Sequence, residues 1–140
     1  MFAEFDESEK PIVKIKLGLN IKDDEDYEQF TNKWLQLEDN KEEYHYIIDT
    51  TGCGFIHIKY CYKIAGFIKS IKARDKKYLQ KSIIIVNNKS IRFLLKTVFM
   101  ISKPVSPVYI VTDYETANRI NSKLGNNLPL VGEDYNYVSN

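Results

Sequence analysis

Three short runs decide the fold: YIID at residues 46–49, IIIVN at residues 83–87 and VYIVT at residues 108–112. Each is apolar without polar alternation and closes on Asp49, Asn87 or Thr112. Uninterrupted apolar runs of this length are the pattern of parallel strands covered on both faces. The segments between them carry helical periodicity, so residues 44–113 read strand, turn, long helix, strand, helix, strand. This predicts an α/β fold. Such folds carry function only in their sites, and no catalytic signature stands out along the stretch.

Outward toward the N-terminus, residues 11–19 alternate, with Val13, Ile15, Leu17 and Leu19 on one side and Lys14 and Lys16 on the other. That is a half-buried strand at or near a sheet edge, where lysines discourage edge-to-edge pairing. Asp23, Asp24, Glu25 and Asp26 then supply a cap and negative charge for a helix start. Tyr27, Phe30, Trp34 and Leu37 follow as one apolar stripe, and residues 38–43 read as a charged loop.

A second helix is predicted over residues 58–74, with Cys61, Ile64, Ala65, Ile68 and Ile71 inward. Ser90 is read as the cap of a third, running to Ser102 with Ile91, Leu94, Leu95, Val98 and Ile101 inward. Pro104 and Pro107 end it and restart an extended chain. A fourth helix spans residues 114–124, with Ala117, Ile120 and Leu124 inward and Gly125 as its stop. The expected order is βαβαβαβα: a single small, mostly parallel sheet of four to five strands with helices on its faces. A fifth strand would have to come from the tail or from residues 52–55. Residues 1–10 are read as a flexible N-terminus and residues 126–140 as a C-terminal tail of one domain, 1–140.

Bulk properties agree with a folded chain. It has 140 residues, 44% apolar and 28% charged, which is enough for a core without staples. No apolar run approaches the roughly 18 residues of a membrane span. The acidic first ten residues lack the apolar centre of a secretory signal. Cys53 and Cys61, held on or near one helix, would lie about 12 Å apart, too far for a disulfide. Reduced thiols and a cytoplasmic location are therefore expected.

The net charge of +1 hides an asymmetry. Residues 1–43 hold 6 basic and 13 acidic residues, residues 44–103 hold 12 and 2, and residues 104–140 hold 2 and 4. A basic middle segment attracts anionic partners, unless the acidic first helix lies beside the second and neutralises it.

The stretch IIDTTGCGF at residues 47–55 resembles the strand-and-turn pattern of the STAS and CRAL-TRIO superfamily: an apolar run, Asp, one or two residues, then Gly. Residues 78–88, YLQKSIIIVNN, are similar to the CRAL-TRIO passage of a Tyr, a basic loop, an Ile/Val strand and Asn. Residues 91–104 and 108–111 continue it with an apolar helix, Lys-Pro and a last strand. DEDYEQF at residues 24–30 and DYETANRI at residues 113–120 resemble the first and last helices of STAS-like proteins related to anti-sigma-factor antagonists. The resemblance covers residues 11–125. It implies either regulatory protein binding or sequestration of a lipid-like ligand.

Antagonist-type STAS domains carry an Asp-Ser-Ser-Gly motif whose second Ser is phosphorylated at a helix start. Asp49-Thr50-Thr51-Gly52 can be laid on it, which makes Thr51 the phosphosite. Anchoring the alignment on the strand instead puts the motif at residues 55–59, where there is no hydroxyl. CRAL-TRIO lipid carriers are longer, with extra helices gating a large cavity. Little lies beyond Gly125 to build such a gate, which argues against a deep phospholipid pocket and leaves a shallow one open.

In parallel α/β sheets ligands favour the crevice beyond the strand C-termini. Here Asp49, Thr50, Thr51, Asn87, Asn88, Thr112 and Asp113 would gather, able to bind a cation or a polar headgroup, or simply to cap turns. His45 and His57 have no third ligand at metal spacing, so no metal or other cofactor is expected. Cys53 near a helix start could have a lowered pKa, but no base is placed beside it. Gly52 and Gly54 lack the rest of a phosphate loop, and no Ser-His-Asp arrangement is arguable. The chain reads as non-enzymatic.

On the third helix Phe93 and Met100 point opposite the core stripe, among Lys89, Arg92 and Lys96. A basic rim around two exposed apolar side chains suits a protein groove or an anionic membrane surface. Alternatively the tail, with Leu128, Leu130 and Val131, folds over them. Lys69, Lys72, Arg74, Lys76, Lys77 and Lys81 add a second basic cluster. The leading expectation is a regulatory or adaptor module acting through protein–protein interaction, then a binder of lipid or an anionic membrane. Nucleic acid ranks last, because Tyr78 is the cluster's only aromatic. A homodimer is left open.

Overall fold

The computed structural model describes all 140 residues. Its elements are β1 (Ala3–Glu9), β2 (Ile12–Leu17), α1 (Asp24–Asp39), β3 (Tyr44–Asp49), α2 (Ile58–Lys72), β4 (Leu79–Ile85), α3 (Lys89–Ile101), β5 (Val108–Val111), α4 (Tyr114–Gly125) and β6 (Asn136–Val138). The six strands form one sheet in sequence order. β2 to β5 are parallel, and β1 and β6 pair antiparallel at the two edges. The sheet is therefore mixed and six-stranded, where four to five mostly parallel strands were expected.

The two additional strands come from the segments read as a flexible N-terminus and a tail. β1 alternates: Ala3 and Phe5 face the core side, and Glu4 and Asp6 the other. Its register sets Glu4 opposite Lys16 and Asp6 opposite Lys14, so opposite charges pair across the strands. The acidic N-terminus thus neutralises the lysines of β2. At the other edge Tyr137 sits opposite Tyr109, with ring centroids 5.3 Å apart. Residues 52–55 contribute no strand.

The layers follow from connection handedness. β2, β3, β4 and β5 lie side by side in order, so each right-handed crossover lands on the same face. That face carries α1, α2 and α3 over a core that includes Val13, Ile15, Trp34, Tyr46, Ile68, Ile84 and Val98. Only α4, which follows the last parallel strand, covers the other face, where Ala117 and Ile120 pack on Ile47, Ile83, Ile85 and Val111. The sheet is covered on both faces only there. On β1 and β2 the second face shows Glu4, Asp6, Lys14 and Lys16, of which only Lys14 is half-buried.

Two boundaries differ from the sequence reading. α1 continues through Glu38, which is 1% exposed, rather than ending in a charged loop. Its carboxylate accepts from Tyr44 Oη at 2.6 Å and from the backbone N–H groups of Tyr78 and Leu79 at 3.1 and 3.0 Å. A carboxylate with three donors can remain buried. The cap of α3 is Asn88 rather than Ser90, its side chain accepting from Ile91 N at 2.8 Å. The cap of α1 is Asp23, as the acidic run predicts.

Candidate functional site

The polar residues at the C-terminal ends of β3, β4 and β5 are largely occupied with the chain itself. Asp49 Oδ1 accepts from the Thr51 amide at 2.8 Å and the Thr51 hydroxyl at 2.6 Å. The Thr50 hydroxyl donates to Ile85 O at 2.6 Å, tying β3 to β4. Asn88 caps α3 and also donates to Cys53 O at 3.1 Å. Asp113 caps α4 through Thr116 N at 2.7 Å, and that hydrogen bond holds its carboxyl below the usual range. Asn87 and Thr112 are exposed. Of the seven crevice residues, then, Asp49, Thr50, Thr51, Asn88 and Asp113 close turns or caps, the use their residue types favour.

Thr51 does not stand at a helix start. It lies in an exposed turn, while α2 begins at Ile58 with His57 as its cap, Nδ1 accepting from Lys59 N at 3.1 Å. A phosphate on Thr51 would sit against Asp49 without a helix N-terminus to receive it, which is an unfavourable placement. Cys53 is no activated thiol: it is buried, and burial pushes its pKa up to about 11. Both cysteines are unpaired thiols, and no group of three His, Cys, Asp or Glu side chains is placed to hold a metal.

The basic cluster after α2 is partly spent locally. Arg74 pairs with Asp39 at 3.0 Å, and Lys63 pairs with Asp24 at 3.1 Å, so α1 does lie beside α2 and neutralise part of it. Lys72 Nζ donates to Lys103 O, and Lys77 Nζ donates to the carbonyls of Lys72 and Arg74. Lys76 lies over the Tyr78 ring. Lys81 is half-buried, and burial lowers its pKa. Lys69 remains exposed on α2.

The surface at the start of α2 and along α3 differs in kind. Phe93 is 69% and Met100 79% exposed. The tail does not cover them, because Leu130 and Tyr135 pack on the α4 side of the sheet and Leu128 and Val131 are exposed. Phe55, Ile58 and Tyr62, which the sequence reading missed, are exposed as well. Phe55, Ile58 and Phe93 line a groove between α2 and α3, with Lys89, Arg92 and Lys96 exposed on α3. From Thr50 to Thr112 the only acidic residue is Asp75. The surface is therefore apolar at its centre and cationic at its rim. Nothing in the apolar spacing of residues 55–62 announces this, since Ile56 and Cys61 point inward while Phe55, Ile58 and Tyr62 point out.

Behind the groove lies an apolar cavity of about 110 Å3 between α1–α3 and the sheet. Ile56, Ile91 and Leu94 line both spaces, so groove and cavity adjoin along these three apolar side chains. Compared with protein families, with curated proteins and with solved structures, the chain matches none. No helix is long and apolar enough to cross a membrane.

Proposed function

We propose that this chain is a non-enzymatic, STAS/CRAL-TRIO-like regulatory or adaptor module that works by docking a protein partner on the α2–α3 surface. The observation that carries the reading is the exposed set Phe55, Ile58, Phe93 and Met100 beside Lys89, Arg92 and Lys96. Exposed apolar patches with a polar rim mark contact surfaces. The rim selects a partner segment that is acidic and carries apolar anchors. The uninterrupted βα alternation from β2 to α4 supports the kinship, and the engagement of the strand-end polar groups in caps favours binding over chemistry. Two unpaired thiols fit a reducing, cytoplasmic setting.

The test is affinity capture from source cells, followed by reconstitution of any captured partner from pure components. Phe93→Glu should weaken that complex at least about tenfold, and Val131→Glu, on the exposed tail, should leave it unchanged. A complex indifferent to Phe93→Glu rejects the surface. The second reading, attraction to an anionic membrane, rests on the same cationic rim. It predicts sedimentation with anionic vesicles at low ionic strength that fades with added salt, and absence of sedimentation at low salt rejects it.

A further inference from the structure

We propose that the cavity beneath α3 is a binding site for a compact, uncharged apolar group about the size of benzene, with α3 as its cover. The space measures about 110 Å3, and 18 of its 22 lining residues are hydrophobic. A 150 Å3 cavity lined by Leu, Ile and Phe stays dry and takes up benzene, so this space is of the right order and chemistry. No charged side chain lines it, and the Thr50 hydroxyl at its wall is already bonded to Ile85 O. Two lining atoms, Trp34 Nε1 and Ser106 Oγ, are buried without a hydrogen-bond partner, so the wall is apolar with two polar points and offers no counter-charge to an ion.

Burial along the walls points the same way. Ile48 sits on an inner strand, on the face that carries three helices, yet it is only half-buried while Tyr46 and Ile47 beside it are fully buried. Ile64 of α2 and Leu94, Leu95 and Phe99 of α3 are likewise half-buried although they line the same space. Of the inward α3 residues, only Ile91 and Val98 are fully buried. The helix spans the void rather than filling it. Its outer side carries the docking surface proposed above, but the ligand here would lie on the inner side of Ile56, Ile91 and Leu94 and would leave Phe55 and Phe93 untouched.

The full chain, with 13C-labelled methyl groups, is titrated with toluene and separately with decanoate. The expected result is saturable movement of the Ile48, Leu94 and Val98 methyl signals, with a change in the emission of Trp34, the sole tryptophan, which lines the cavity. Movement with toluene alone assigns the site to free hydrocarbons. Movement with decanoate as well assigns it also to acyl chains whose carboxylate stays outside. Val98→Phe, which fills the space, should weaken binding at least about tenfold. Ser82→Val, a smaller filling at another wall, serves if that variant does not fold. The proposal is overturned if neither probe moves the inner methyls at saturation, if only the Ile58 methyls on the groove side respond, or if both fillings leave binding unchanged.

Discussion

Glu38 shows how far a single residue can depart from its apparent class. In sequence it belongs to an acidic run; in the fold its carboxylate joins the end of α1 to Tyr44 and to the first amides of the β4 region. Burial and this hydrogen bond push the Tyr44 pKa well above the ordinary tyrosine value. Glu38→Ala strands three buried donors, each costing on the order of 1–3 kcal/mol when unpaired, partly offset because no charge is then buried. A net loss of about 3 kcal/mol in urea unfolding is expected; a change below about 0.5 kcal/mol would show that the carboxylate is dispensable. Cys53 makes a second point at this scale. With its pKa raised to about 11, it should react with iodoacetamide at pH 8 far more slowly than the denatured chain does, and equal rates would contradict its burial.

Among the elements, α3 is the least firmly seated helix and α4 the most deliberately fastened. Removing the α3 cap with Asn88→Ala should cost about 1 kcal/mol and also free the Cys53 carbonyl, loosening the loop before α2. α4 holds the tail through Glu133, whose carboxylate meets Lys123 at 2.7 Å and Arg119 at 3.0 Å. Lys123 first and Arg119 second hold its pKa below the usual range. A depressed carboxyl contributes stability above its unfolded pKa, and that contribution disappears as pH falls through the folded value. Glu133→Gln should therefore melt earlier than the wild type at pH 7, and the gap should narrow as pH falls below the ordinary glutamate value of about 4.3. A gap that does not narrow with falling pH would assign the effect to packing instead.

For the molecule as a whole, charge and layering are linked. The acidic N-terminal third is spent on β2 through β1 and on α2 through α1, which leaves uncompensated cations around the α2–α3 groove. The residue just before β1 closes the core: Phe2 is buried, edge-on to Phe30 with centroids 6.0 Å apart. Phe2→Ala should consequently cost about 3 kcal/mol, as truncation of a buried aromatic does, measured as a lowered denaturation midpoint. A terminus merely lying on the surface would show almost no change.

The α/β class, the four parallel strands and the four helices were legible because each rests on local periodicity: uninterrupted apolar runs for β3–β5, alternation for β2, and 3.6-residue stripes for the helices. The N-cap role of Asp23 and the outward direction of Phe93 and Met100 were legible for the same reason. The edges were not. β1 hides its alternation under acidic residues that make sense only opposite Lys14 and Lys16, and β6 is three residues whose pairing depends on Tyr109. Burial of Glu38, exposure of Phe55, Ile58 and Tyr62, and the void under α3 depend on which side chains arrive from distant parts of the chain. Local pattern states what a segment can bury; only the assembled layers decide what it meets, and therefore which faces stay bare.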